Sequence, residues 1–89
     1  MIPYDKRSGK IWYNGELVDW SNVKLHVLSH GLHYASCIFE GERVYDGSIF
    51  KLEEHTSRFF HSARRMGFEF LYSEAETNAA SNSLIKNQN

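Results

Sequence analysis

Apolar and polar residues repeat with two different periods along this chain, and the change of period marks out its elements. Lys10 to Tyr13 (Lys-Ile-Trp-Tyr) is rich in strand formers and runs directly into Asn14-Gly15. That dipeptide tolerates the positive φ angles of a two-residue hairpin loop, so Glu16 to Asp19 is the returning strand. Trp20 to His26 reads as a connection, with Val23, Leu25 and Val27 alternating as in a short extended segment. A third strand is predicted from Cys37 to Tyr45. Asp46-Gly47 follows it, and Ser48 to Leu52 returns, which makes residues 37–52 an antiparallel hairpin. The period then lengthens. Leu52, His55, Phe59, Ala63 and Met66 recur at helical spacing, with Phe60 widening the stripe, and predict a helix over about 53–66 with its stripe buried. Glu53 and Glu54 sit near the positive end of that helix and Arg64 and Arg65 near its negative end, and Gly67 fits the left-handed residue that follows. Ser73-Glu-Ala-Glu is a capping box that opens a last helix. Its stripe of Ala79, Ala80, Leu84 and Ile85 is thin and broken by Asn78, Ser81, Asn82 and Ser83, so it depends on packing for its stability.

Strand parity singles out one face of the segment 37–45. Cys37, Phe39, Gly41, Arg43 and Tyr45 share it, which sets an aromatic wall, a position without a side chain, a guanidinium fork and a phenol side by side. A glycine inside a strand marks a close approach by a ligand or another backbone, and a guanidinium suits a carboxylate or phosphate. The same residues have ordinary readings: arginine on a strand is commonly a solvated surface residue, and a strand glycine a bulge. The opposite face, Ile38, Glu40, Glu42 and Val44, is mixed and calls for no special chemistry. Arg58 borders the apolar stripe of the helix, where a pair with Glu54 at i, i+4 is the plain expectation. His30 and His33 stand three apart, but no further ligand lies at a usable spacing, so no metal site is expected. Cys37 is expected to be a small buried apolar residue.

Composition narrows the class. The chain has 89 residues, enough for one small domain that buries about 60–65% of the surface its unfolded form exposes. Hydrophobic residues make up 42% and aromatics 15%, which permits a packed core. Ten basic and eleven acidic residues are spread along the chain and leave a net charge of −1, without the electrostatic footprint of a nucleic-acid or anionic-membrane binder. A single cysteine fits a reducing compartment. No apolar run reaches the roughly 18 residues of a membrane span, and the N-terminus lacks the apolar core of a signal peptide. A cytoplasmic protein is expected.

Four runs taken in order carry a family resemblance: Lys10 to Val18 (Lys-Ile-Trp-Tyr-Asn-Gly-Glu-Leu-Val), His26 to Tyr34, Phe39 to Tyr45 (Phe-Glu-Gly-Glu-Arg-Val-Tyr), and Glu54 to Phe59 (Glu-His-Thr-Ser-Arg-Phe). Together they resemble the branched-chain amino acid aminotransferases, fold-type IV enzymes that use pyridoxal 5′-phosphate. The resemblance covers residues 10–89, the family's small N-terminal domain, with residues 1–9 a lead-in. It implies an α+β fold of antiparallel β-hairpins with two helices packed on one side. It implies also that Arg58 is a ligand of the cofactor phosphate, that Phe39 walls the substrate side-chain pocket, that Gly41 and Arg43 lie beside the substrate, and that Tyr34 reaches into a neighbouring subunit. The family reaction moves an amino group from leucine, isoleucine or valine to 2-oxoglutarate in branched-chain amino acid biosynthesis, and the enzymes are at least dimeric.

Departures qualify the resemblance. The family has glycine where Ala35 stands, an apolar residue where Glu42 stands, and larger apolar residues where Thr77 and Asn78 stand. None of Lys6, Lys10, Lys24, Lys51 and Lys86 matches the lysine that holds the cofactor, which in the family belongs to a second domain. The expectation is therefore a truncated or split chain without catalytic residues of its own, inactive alone, binding the cofactor weakly, and either self-associating or completed by a C-terminal domain. A D-amino acid transaminase or aminodeoxychorismate lyase domain and a non-catalytic self-associating remnant are the alternatives.

Overall fold

Asn14 and Gly15 adopt φ angles of 50° and 92°, and this left-handed pair closes the first hairpin. In the computed structural model, which describes residues 1–88, strand β1 (Lys10–Tyr13) pairs antiparallel with β2 (Glu16–Asp19) in the register Lys10 to Asp19 and Tyr13 to Glu16. The Lys10 ammonium and the Asp19 carboxylate form an ion pair across the open end. The lead-in folds back on this hairpin through a 3-10 turn at Tyr4–Lys6, where the Tyr4 carbonyl accepts a hydrogen bond from the Trp20 indole.

The second hairpin forms by the same device. Asp46 and Gly47 have φ angles of 49° and 78° and join β3 (Val44–Tyr45) to β4 (Ser48–Ile49). It is much shorter than the predicted 37–52 hairpin. One further hydrogen bond, Phe50 N–H to the Arg43 carbonyl at 2.8 Å, ends the ladder. Lys51 turns left-handed and the chain enters a helix, so no strand among the described residues stands opposite residues 37–42 to pair with them. Residues 36–41 alternate in exposure nonetheless, and the alternation ends at Glu42, which is exposed like Gly41. Ser36, Ile38 and Glu40 are partly covered, while Cys37, Phe39 and Gly41 are exposed. Cys37 thus lies on the uncovered side, contrary to its expected burial, because no element among the described residues packs over that face.

A short helix α1 (His30–Tyr34), absent from the sequence reading, precedes this segment and ends on Ala35 at φ 55°, ψ 25°. Helix α2 (Leu52–Met66) matches the predicted span. Gly67 at φ 78° terminates it, its N–H bonding the Arg64 carbonyl, while Phe68 N–H bonds the Ala63 carbonyl at 2.8 Å. Helix α3 (Glu74–Lys86) starts with the capping box in place: Ser73 Oγ accepts from Glu76 N–H at 3.1 Å, and Glu76 Oε1 accepts from Ser73 N–H at 3.0 Å.

Helix α3 packs against both α2 and β1, which links the two halves of the molecule. Its end is fastened by Gln88, whose amide bonds the Lys10 N–H at 3.0 Å and the Lys10 carbonyl at 2.7 Å in the manner of a neighbouring strand. Ala63 and Thr56 on α2 are buried, at 1% and 3% exposure, and Thr56 Oγ1 donates to Asn78 Oδ1 of α3 at 2.5 Å. Phe59, Phe60 and Phe70 cluster beside them with ring centres 4.7–6.4 Å apart. Met66 does not join this core. The chain reverses at Gly67 and lays Phe70 on Phe59 and Phe60, which leaves Met66 48% exposed. No helix among the described residues is long and apolar enough to cross a membrane.

Candidate functional site

The extended segment before β3 places Ile38 and Glu40 on its covered side, toward α2, where His55 and Arg58 stand three residues apart on one helix face. Glu40 meets both. Arg58 donates from Nε to Oε2 at 2.8 Å and from Nη2 to Oε1 at 2.7 Å, a parallel fork on one carboxylate, and His55 Nδ1 lies 2.6 Å from Oε1. The Glu40 side chain is 8% exposed, whereas that of Arg58 is 66% exposed. Hydrogen bonding from Arg58, and then from His55, pulls the Glu40 carboxyl from 4.5 down to about 2. The same bond with Glu40 raises Arg58 above its ordinary value, so the pair is fully charged at neutral pH.

This geometry differs from the expected Glu54–Arg58 pair: the partner of Arg58 is Glu40, eighteen residues away in sequence. Of the five guanidinium N–H groups, the fork uses Nε–H and one from Nη2, which leaves Nη1 and the second Nη2 hydrogen able to bond elsewhere. Arg58 borders a recess of about 280 Å³ lined also by Lys51, Glu54 and His55. It borders as well a broader groove along α2 with Ser57, His61 and Arg64. A phosphate group fits the donor set here, a guanidinium edge with an ammonium nearby. Glu40 already neutralises much of the arginine's charge, and so the fit rests on hydrogen-bond donors more than on net attraction.

The other residues singled out in the sequence stand in the open. Tyr34 ends α1 with its ring 4.7 Å from that of His30 and is exposed. Phe39 is 86% exposed. A side chain built at Gly41 would meet no atom of the described residues within 4 Å, so nothing among them requires a glycine there. Arg43 is exposed at the foot of the second hairpin, held by its carbonyl bond to Phe50. His30 Nδ1 is 3.3 Å from Ser36 Oγ, and among the described residues no group of three His, Cys, Asp or Glu side chains is placed to hold a metal ion.

Two residues of the cluster, Glu40 and His55, escaped the sequence reading. The signal was present: parity sets Glu40 beside Ile38 on the covered face, and a carboxylate there requires a cationic partner. The helical period places His55 in the apolar stripe, whereas in the structure its ring nitrogen turns to Glu40.

Known proteins share this sequence and fold. Residues 37–89 match the family model described as amino-transferase class IV. A probable branched-chain-amino-acid aminotransferase of Rickettsia felis is 43% identical over all 89 residues, which amount to 31% of that protein. The branched-chain-amino-acid aminotransferase of Pseudomonas aeruginosa is 45% identical over 87 residues, covering 93% of this chain and 28% of that one. The crystal structure of the Escherichia coli branched-chain amino acid aminotransferase superposes with a TM-score of 0.85 at 40% identity, over 91% of this chain and 28% of that one. The structure of the branched-chain aminotransferase of Thermoproteus uzoniensis with norvaline superposes with a TM-score of 0.84 at 33% identity, over 91% and 29%. The chain therefore spans about 30% of the length of the relatives it matches. It belongs to the class IV aminotransferase family, among relatives that are branched-chain aminotransferases.

Proposed function

We propose that these 89 residues form the substrate wall and one phosphate contact of a branched-chain amino acid transaminase. Pyridoxal 5′-phosphate, when bound, supplies the electron sink that lets an amino group leave one carbon skeleton for another. Arg58 holds the cofactor phosphate through the guanidinium edge that Glu40 leaves free. Phe39 lines the pocket for the apolar side chain of leucine, isoleucine or valine. Gly41 lets the substrate approach the backbone, and Arg43 faces a carboxylate of the amino acid or of 2-oxoglutarate. Tyr34, exposed at the end of α1, reaches into the pocket of a neighbouring copy in an assembly that is at least dimeric and cytoplasmic. The lysine that holds the cofactor comes from outside these 89 residues, and the chain by itself is inactive.

The observation that carries this reading is an arginine fork fixed on a nearly buried carboxylate with one edge free, in a chain similar along its whole length to branched-chain aminotransferases. The test is a hybrid in which residues 1–89 replace the matching segment of the Pseudomonas aeruginosa enzyme. Amino transfer from leucine to 2-oxoglutarate is expected, and Arg58→Ala in the hybrid should weaken cofactor retention at least about tenfold. A folded, cofactor-loaded hybrid that uses none of leucine, isoleucine and valine overturns the substrate assignment.

A further inference from the structure

We infer that Glu40 is a positioning residue for anion recognition: it aims the guanidinium of Arg58 so that the free Nη1 edge meets a phosphate, and His55 holds Glu40 in place. The inference rests on the proposed phosphate role of Arg58 and adds to it the residues that prepare the site. An exposed arginine ordinarily samples many rotamers, and ordering it on binding costs about as much as one or two hydrogen bonds return. Here the ordering is done in advance. Nε and Nη2 are both spent on one carboxylate at 2.8 and 2.7 Å, which fixes the plane of the guanidinium as well as its position.

The carboxylate is itself held. Glu40 is 8% exposed, His55 Nδ1 is 2.6 Å from the oxygen that also receives Arg58 Nη2, and the segment carrying Glu40 runs into the β3–β4 hairpin. Arg58 and His55 lie on the same helix, so Glu40 bridges the extended segment to α2 and sets the spacing between Phe39 and Arg58. The opposite reading is that the carboxylate occupies the arginine as a stand-in for phosphate. In that case a phosphate would have to displace Glu40, and removing Glu40 would strengthen binding. The two readings differ in sign.

The experiment uses the 89-residue chain with pyridoxine 5′-phosphate, which carries the phosphate but no aldehyde and so forms no covalent link to lysines. Binding is followed by the phosphorus resonance of the ligand and by the Nε–H resonance of Arg58. The wild-type chain is expected to bind with a dissociation constant on the order of millimolar. Arg58→Ala should abolish measurable binding, and Glu40→Gln should weaken it by about threefold or more while shifting the Arg58 Nε–H resonance and leaving the backbone resonances of α3 in place. Equal or tighter binding by Glu40→Gln overturns the positioning role. Should Glu40→Gln fail to fold, the wild-type chain decides alone: the Glu40 carboxyl carbon resonance stays put during the titration if Glu40 positions Arg58, and moves with occupancy if phosphate displaces it. Binding by Arg58→Ala equal to the wild type removes the phosphate role itself, which separates failure of that reading from failure of the inference.

Discussion

At the scale of single residues, the chain concentrates its electrostatics in Glu40 and its backbone strain in a few left-handed positions. Glu40 has a folded-state pKa of about 2 against 4.5 for a free carboxyl. Protons therefore bind the unfolded chain first, and protonation favours unfolding. The contribution of Glu40 to stability is complete above pH 4.5, declines as the pH falls below it, and is gone near pH 2. Urea unfolding of the wild type and of Glu40→Gln should show midpoints that differ most above pH 4.5 and converge as the pH approaches 2; a constant difference would show that the ion pair is not responsible. Ala35 presents the other case. It sits at φ 55°, where a Cβ costs about 1–2 kcal/mol. Glycine there removes that strain but adds about 0.4–1 kcal/mol of unfolded-chain entropy. Ala35→Gly should stabilise the chain by about 0.5–1 kcal/mol, read as a higher urea midpoint with an unchanged slope.

At the scale of elements, the contact between α2 and α3 is unusual for a small core. Its buried centre is a hydroxyl, Thr56 at 3% exposure, bonded to Asn78. This explains how α3 docks with so few large apolar residues: Asn78 supplies an acceptor to a buried donor. Thr56→Val leaves the Asn78 amide without its donor and should cost about 1–2 kcal/mol. Thr56→Val with Asn78→Leu should cost less than the sum of the two single changes by about 1 kcal/mol, because both polar groups then leave together. A double-mutant cycle in urea gives this coupling directly, and strict additivity would refute it.

At the scale of the whole molecule, little is deeply buried. The radius of gyration is 14.1 Å, against about 12 Å for a compact domain of this length, and among the described residues Ala63 is the buried hydrophobic residue of the core. From Leu25 to Phe39 the chain shows six large apolar side chains, Leu25, Val27, Leu28, Leu32, Tyr34 and Phe39, each between 61% and 86% exposed. Exposed apolar surface on this scale is covered by another surface when one is available. In isolation the polypeptide should therefore self-associate. Sedimentation velocity over rising concentrations should show species heavier than 10.4 kDa, and replacing Leu28, Leu32 and Phe39 together by serine should return the chain to the monomer mass. A wild-type chain that stays monomeric throughout would show that this segment shields itself.

Local chemistry was legible in the sequence, because it depends on neighbours along the chain. Both hairpin turns, at Asn14-Gly15 and Asp46-Gly47, follow from residues that tolerate positive φ. The span of α2, its stop at Gly67 and the capping box at Ser73 follow from periodicity and from side chains a turn apart. The α+β class and the family were legible through the resemblance that four runs of residues carry, and the relatives agree with both. Long-range pairing was not legible. The extended segment 37–42 lacks a ladder because Lys51 starts a helix where a partner strand would have to continue. Cys37 is exposed and Met66 half-exposed because no later element among the described residues covers them, and burial is decided by what packs on a face, whatever the residue type. Arg58 had two carboxylates within its reach, Glu54 one turn away on its own helix and Glu40 across the fold. Only the tertiary structure chose Glu40: a nearly buried carboxylate gains far more from a bidentate cation than an exposed one does, and it is the fold that buries Glu40.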